Sequence, residues 1–464
     1  MNKILFLIVF VLTVFCDVKA SEQYALDRVY TGNQVSNTVS VIAPATNVLL
    51  GEIILGKPYP NVLSPLYKGA SLVHGLRYDE GRKILAVVSI GSNSVTFIST
   101  LDNKVLKTVY VGRAPHEPTF TPDGKEIWVT VRGEAYLSVI NMDTLTETTR
   151  VPVADGPGMI AFSQDGKYAY VCSSFTPEVD VVDKTTYRVI KKIPVISPFS
   201  PNIYTSPDGK LVALTHKDVG KVTVIDTSRN EVIKVFSTGA ITNHVSFAQT
   251  GERLLLAVTV GGENCVKFFD VADDYKQIAT IPVDVLPHGL WPSPDGRRLY
   301  VGLEYSDMVQ VINLENMTVS ASIKIGQSPQ ALVYAQNAVN SPRDSNNLSN
   351  PRDPLTAQVI VLKPINAEDA AFGQLSVRQI GRTKLIEQLF LKLKPDTSYT
   401  LAFSKSLSKL QADYEINAFQ TESNGKYAAQ SDALLQNAGG VDYECVVLRD
   451  DTTGQIVMVG ESVQ

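Results

Sequence analysis

An all-β fold, a seven-bladed β-propeller closed by strand exchange and followed by a small β-sandwich, is predicted for this chain of 464 residues by three observations. A strand-rich unit of about forty residues recurs along residues 24–336, the period of a four-stranded propeller blade. A glycine turn recurs at one place in that unit. A lone strand sequence is left over after the last unit, where the first unit lacks one.

Taken in order, residues 1–20 stand apart. Lys3 opens them, Ile4 to Phe15 are apolar, and Val18-Lys19-Ala20 form a small-residue cleavage site, the pattern of a secretory signal peptide. The apolar run is too short to span a bilayer. Without this segment the chain holds 40 basic and 46 acidic residues. Such a mild acidic excess gives no basic patch for nucleic acid. No later run is apolar enough for a membrane helix, and a monomer is expected. The later cysteines, Cys172, Cys265 and Cys445, are odd in number, lack CxxC spacing and sit in apolar strand patterns, so they read as buried free thiols rather than a disulfide framework.

The repeat is plainest in its third strand. In-phase copies begin at Val39, Val95, Leu137, Val179, Val222, Val266 and Val309, spaced after the second by 42, 42, 43, 44 and 43 residues. The first gap is 56 because residues 57–71 form a Pro-rich insertion. Turns ending at Gly81, Gly124, Gly166, Gly209, Gly251 and Gly296 join first to second strands, glycine supplying positive φ. Residues 27–56 hold only the second to fourth strands of a blade, whereas ALVYA, Ala331 to Ala335, is a first strand with nothing after it. Pairing these closes a ring of seven and removes the open edge.

The segments LYVGLEYSDMVQVIN and DRVYTGNQVSNTVSVIA, with the Ser-Pro-Asp-Gly turns, resemble the YVTN-type propeller repeats of secreted microbial proteins. That superfamily includes seven-bladed lactonases and the propeller domains of nitrite and nitrous oxide reductases. The resemblance covers residues 24–336 and implies the fold. It does not choose among functions, because propellers host many chemistries.

Residues 337–356 are rich in Asn, Ser, Pro and Asp and read as a polar linker. Residues 357–464 contain seven short alternating segments, expected to form a β-sandwich. LKLKPDTSYTLAFS there resembles the corner strand of fibronectin-like and CHRD-like sandwiches, in which a Pro turn leads into a strand with an inward Tyr. GKYAAQSDALLQ is expected as a short helix.

Four of the five histidines share one repeat phase. His74, His116, His244 and His288 stand where the other repeats have Gly158, Asn202 and Gln330. Innermost strands line a propeller's channel, so these imidazoles are expected to converge on the axis. Neutral imidazole binds copper and zinc well, whereas calcium and magnesium prefer oxygen. The expectation is one transition-metal ion, copper or zinc, on His74, His116, His244 and His288. Asn202 and Gln330 would line the same cofactor site, with Glu117 as general base or partner of a ligand. The resemblance to propellers whose channel histidines hold copper agrees with this, although four histidines at seven positions fit a single ion better than a cluster.

His216 lies off this phase and reads as a surface residue. Arg113 and Arg132 are placed to hold an anion above the pore. There is no GxSxG, phosphate loop, HExxH or CxxCH. Two functions of different class follow. One is an exported metalloprotein, an oxidoreductase or lactonase-like hydrolase acting on a small molecule. The other is a non-enzymatic envelope or surface protein that binds a partner through the propeller face and the sandwich. A haem-like cofactor on the channel face is a third reading.

Overall fold

A computed structural model describes residues 24–56, 71–350, 358–380, 383–433 and 443–461. The expected signal peptide, residues 57–70 of the Pro-rich insertion and residues 351–356 lie outside them. Two compact units emerge, the second holding residues from 355 onward.

The first unit consists of seven four-stranded antiparallel sheets. Blade 2 shows the plan: Val73–Asp79 innermost, then Ile84–Ser89, Ser94–Ser99 and Lys104–Tyr110. Middle strands are buried nearly throughout, as in Leu137–Ile140, while outer strands such as Lys104–Tyr110 alternate with solvent. This burial gradient explains the sequence pattern, because inner sheets pack on neighbours on both faces and outer ones on one. Blade 1 is closed as expected. Pro329–Ala335 pairs antiparallel with Arg28–Asn33, Tyr334 facing Val29 and Leu332 facing Thr31. Tyr334 Oη donates to Asp27 at 2.6 Å and Asn337 N to the same carboxylate at 2.8 Å.

The glycine turns adopt positive φ at Gly124, Gly166, Gly209, Gly251 and Gly296, between 56° and 68°. The turn after Tyr78 differs, for there the left-handed residue is Lys83, with φ 55°, and not Gly81. In four turns a Ser or Thr hydroxyl donates to the Asp two residues on, as Ser206 does to Asp208 at 2.7 Å.

Residues 337–350, expected as linker, run back along the propeller. Ala338 and Val339 are buried, and Ser349 bridges Glu52 through two backbone hydrogen bonds of 2.9 and 3.0 Å. The backbone of this segment is fastened to the propeller as well, as in the 2.9 Å bond from Asn103 Nδ2 to the Asn346 carbonyl.

The second unit is all-β. Four strands, Tyr414–Gln420, Ser398–Ser404, Cys445–Asp450 and Gln455–Glu461, form one half. The other half is Gln358–Pro364, Phe372–Ile380, Thr383–Leu391 and Tyr427–Ala433. They join through a short seam, Lys363 opposite Val459 and Pro364 opposite Met458, and enclose Leu375, Phe390, Leu401 and Leu448. At the far edges Tyr427 stacks on Phe419 at 3.8 Å, so the eight-stranded sheet nearly closes as a barrel. Tyr399 points inward, 2% exposed. The expected short helix is corrected: Tyr427–Ala433 is a strand, paired along Thr383–Leu391 from Phe390–Tyr427 to Lys384–Ala433. A free sheet edge outweighs the helix propensity of its alanines. Residues 434–436 of that segment lie outside the described residues.

Candidate metal centre in the propeller channel

The four channel histidines form one contiguous arc. Ring centres lie 4.3 Å apart for His116 and His74, 6.5 Å for His74 and His288, and 4.7 Å for His288 and His244. All four are buried, their exposures between 4% and 9%. Gln330 belongs to the blade between His288 and His74, and its side chain turns aside to donate to Ser328 Oγ at 3.0 Å.

Hydrogen bonds sort the four rings. His116 Nδ1 lies 2.8 Å from the Gly158 carbonyl and His288 Nδ1 2.7 Å from that of Gln330. A carbonyl only accepts, so each Nδ1 carries the proton and each Nε2 keeps its lone pair. His244 is the reverse. The amide of Val245 donates to Asn202 Oδ1 at 2.9 Å, which turns Asn202 Nδ2 toward His244 Nδ1 at 3.3 Å. That nitrogen accepts, leaving Nε2–H of His244 as a donor. His74 Nδ1 is buried without a well-formed hydrogen bond among the described residues, and the His116 backbone offers this ring one. Burial pushes His74 and His244 down to about 3 and holds His116 and His288 well below the usual imidazole range. Four neutral imidazoles result.

Glu117 lies one residue past His116 and is 1% exposed. Burial pushes its carboxyl up to about 7, against the opposing pull of Arg77, whose Nη1 is 3.6 Å from Oε2. Glu117 Oε2 has no hydrogen bond. The carboxyl fits because the same phase of blade 2 is Gly75, where a Cβ would meet Glu117 Oε2 at 2.6 Å and the His116 carbonyl at 2.4 Å. One ligand atom each from His74, His116 and Glu117 falls within 4.8 Å of the others. Below lies a cavity of about 10 Å³, lined in part by Glu117, Asn202, His244 and Arg77. Arg77 lies over the rings of Trp291 and Tyr204, at 4.9 and 5.9 Å, and closes it from beneath.

Of the expected site residues, the structure gathers His74, His116 and Glu117 closely. His288 sits at the edge, 4.0 Å from Glu304, and Asn202 positions His244. Gln330 contributes its carbonyl. His216 is corrected: it is fully buried, with Ser200 Oγ at 2.9 Å from Nδ1 and Thr223 Oγ1 at 2.7 Å from Nε2. Its position at the end of an innermost-facing second strand, Leu211–His216, buries it between hydroxyls. Cys172, Cys265 and Cys445 are buried free thiols, as read from their strand context.

Sequence reasoning missed the threonines that hold the ring. Thr259 Oγ1 accepts from His244 N at 2.9 Å and donates to the His288 carbonyl of the next blade at 2.8 Å. Thr130 does likewise for Glu117 N and the Gly158 carbonyl, at 3.0 and 2.9 Å, and Thr215 reaches the Asn243 carbonyl at 3.0 Å. These share one repeat phase in the second strand, a signal the sequence does contain.

With this geometry in hand, comparison with known proteins is informative. Residues 68–331 match the family described as "Lactonase, 7-bladed beta-propeller". Proteins named YncE from Salmonella typhi and Salmonella typhimurium are 22% identical over 241 residues, half of this chain and 66% of theirs, just under two thirds. Among solved structures, hydrazine synthase of Kuenenia stuttgartiensis aligns at TM-score 0.52 and 21% identity, over 59% of this chain and 92% of that one. The periplasmic gluconolactonase PpgL of Pseudomonas aeruginosa aligns at TM-score 0.52 and 16% identity, over 67% and 99%. At such identities the structural likenesses show the fold alone.

Proposed function

Because this chain belongs to the seven-bladed lactonase β-propeller family, we propose that it is an exported protein whose propeller channel holds one transition-metal ion on His74, His116 and Glu117. His288 stands at the edge of this trio, its ring 6.5 Å from that of His74. The observation that carries this reading is the trio itself, one ligand atom from each of His74, His116 and Glu117 within 4.8 Å of the others, all three residues buried and Glu117 Oε2 without a hydrogen bond among the described residues. A buried carboxylate oxygen left without a hydrogen bond is costly, and a cation compensates it. Two imidazoles and a carboxylate suit zinc or copper. The 10 Å³ cavity lined by Glu117 and His244 has the size of one water.

When bound, such an ion supplies Lewis acidity toward a carbonyl or a water. The protein's own groups do the rest. Arg77 would steady the Glu117 carboxylate as a ligand. His244 Nε2–H donates to a substrate oxygen. Thr130 and Thr259 fix the strands that carry these groups. The reaction class favoured is metal-assisted hydrolysis of a small lactone or ester, in keeping with the family.

Elemental analysis of protein purified without a histidine tag tests the premise. The expected content is near one ion per chain, lost in His74→Ala and His116→Ala and lowered in Glu117→Gln. Content near zero after incubation with zinc and copper, or unchanged in the alanine variants, sinks it.

A further inference from the structure

Above the histidines the repeat builds a second ring. Two residues beyond the phase of Thr130, Thr215 and Thr259, the blades from the third on carry Arg132, Ser174, Lys217, Gly261 and Glu304. Backbone bonds confirm the equivalence. The amides of Ser174, Lys217 and Glu304 bond the carbonyls of Gly156, Phe199 and Leu286 at 2.7, 3.1 and 3.0 Å, each in the turn entering its own blade.

Among the described residues, Arg132 Nε and Ser174 Oγ are buried without hydrogen-bond partners, and Ser174 is 4% exposed. The Arg132 guanidinium lies over two aromatic rings, 5.8 Å from the centre of Phe175 and 5.6 Å from that of Phe199. Among the described residues no carboxylate pairs with it. Arg113, the other arginine expected here, gives Nε and Nη2 to the Gly133 carbonyl at 3.2 and 2.6 Å. Acids of the equivalent loops in other blades have partners as well: Glu178 with Lys192 and Glu263 with Lys267, both at 2.6 Å. Phe175 is 56% exposed yet pinned over Gly156, where a Cβ would meet its ring at 2.2 Å.

We propose that the channel mouth is an anion site in which Arg132 and Ser174 bind the carboxylate of a small organic acid, with Phe175 and Phe199 against its apolar part. A guanidinium fork binds a carboxylate through parallel hydrogen bonds, and stacking on aromatic faces leaves the fork's edge free to do so. Those rings compensate a desolvated arginine without a counter-ion only in part. A single guanidinium matches a monoanion. The site extends the channel reading above to its ligand class but does not need the metal, and its test separates the two.

Isothermal titration calorimetry on the full chain, stripped of metal with a chelator, is done with benzoate, acetate and inorganic phosphate. Benzoate is expected to bind one per chain and more tightly than acetate. Arg132→Gln should weaken it about tenfold or more, the scale of a lost charged hydrogen bond, Ser174→Ala should weaken it less, and Arg113→Gln should leave it unchanged. His74→Ala should retain it, whatever that variant does to metal content. Absence of saturable benzoate binding, phosphate binding more tightly than either carboxylate, or a folded Arg132→Gln that binds like the parent overturns the proposal. Should Arg132→Gln fail to fold by circular dichroism, Arg132→Lys keeps the charge and loses the fork, and undiminished affinity there is equally decisive.

Discussion

At the scale of single residues, the histidines divide by what they bond rather than by where they stand. Four at one repeat phase were legible as a channel ring because a phase is a property of the sequence. Their tautomers were not, since each depends on a carbonyl or amide from the neighbouring blade, Gly158 for His116 and Asn202 for His244. The Gly75–Glu117 match was hidden for the same reason: nothing within either repeat says that a carboxyl will lie over the next blade's glycine. His216 was misread as exposed because its burial comes from Ser200 and Thr223. That burial has a pH consequence. Desolvation lowers His216 from 6.5 to about 4, so between those values the unfolded chain binds the extra proton. Its contribution to stability is present above pH 6.5 and is lost as pH falls toward 4, on the order of 2 kcal/mol between pH 7 and pH 5. Urea denaturation at both pH values should show the parent losing stability on acidification, with His216→Gln less stable at pH 7 but losing less. An identical pH slope in the two proteins would contradict a neutral, buried His216.

Elements show where local pattern was enough and where pairing decided. Blade strands were legible because each needs an apolar middle and a turn glycine, both local properties. Tyr427–Ala433 was not, because its alanines favour helix and only the open edge of Thr383–Leu391 makes it a strand. The second-strand threonines act between elements, each joining its own first strand to that of the next blade. Thr259→Val keeps shape and strand propensity but leaves His244 N and the His288 carbonyl without this partner. The expected cost is about 1–3 kcal/mol, read as a lower midpoint in urea with an unchanged slope. A surface threonine of an outer strand, Thr148, serves as the comparison and should cost far less. A loss at Thr259 no larger than at Thr148 would show that the blades do not lean on this clamp.

For the whole molecule, closure is the governing fact, and it was legible from a count of strands: blade 1 lacks its innermost strand and Pro329–Ala335 supplies it. What the count could not give is how far closure extends. Residues 337–350 continue it, Asn337 bonding Asp27 and Ser349 bridging Glu52, so the ring is fastened on both sides of the exchanged strand. A propeller without that strand exposes the edge of Arg28–Asn33 and leaves one channel wall missing, and neighbouring blades lose the face they pack on. A chain of residues 24–350 is therefore expected to fold without the second unit. It should melt in one cooperative transition and keep the metal content of the full chain, because His74, His116 and Glu117 all lie within it. A chain of residues 24–328 should lose both the transition and the metal. Scanning calorimetry and elemental analysis of the pair decide the matter. Cooperative melting of the shorter chain would mean that six blades close without exchange, whereas aggregation of the longer one would mean that the second unit is part of the propeller's stability.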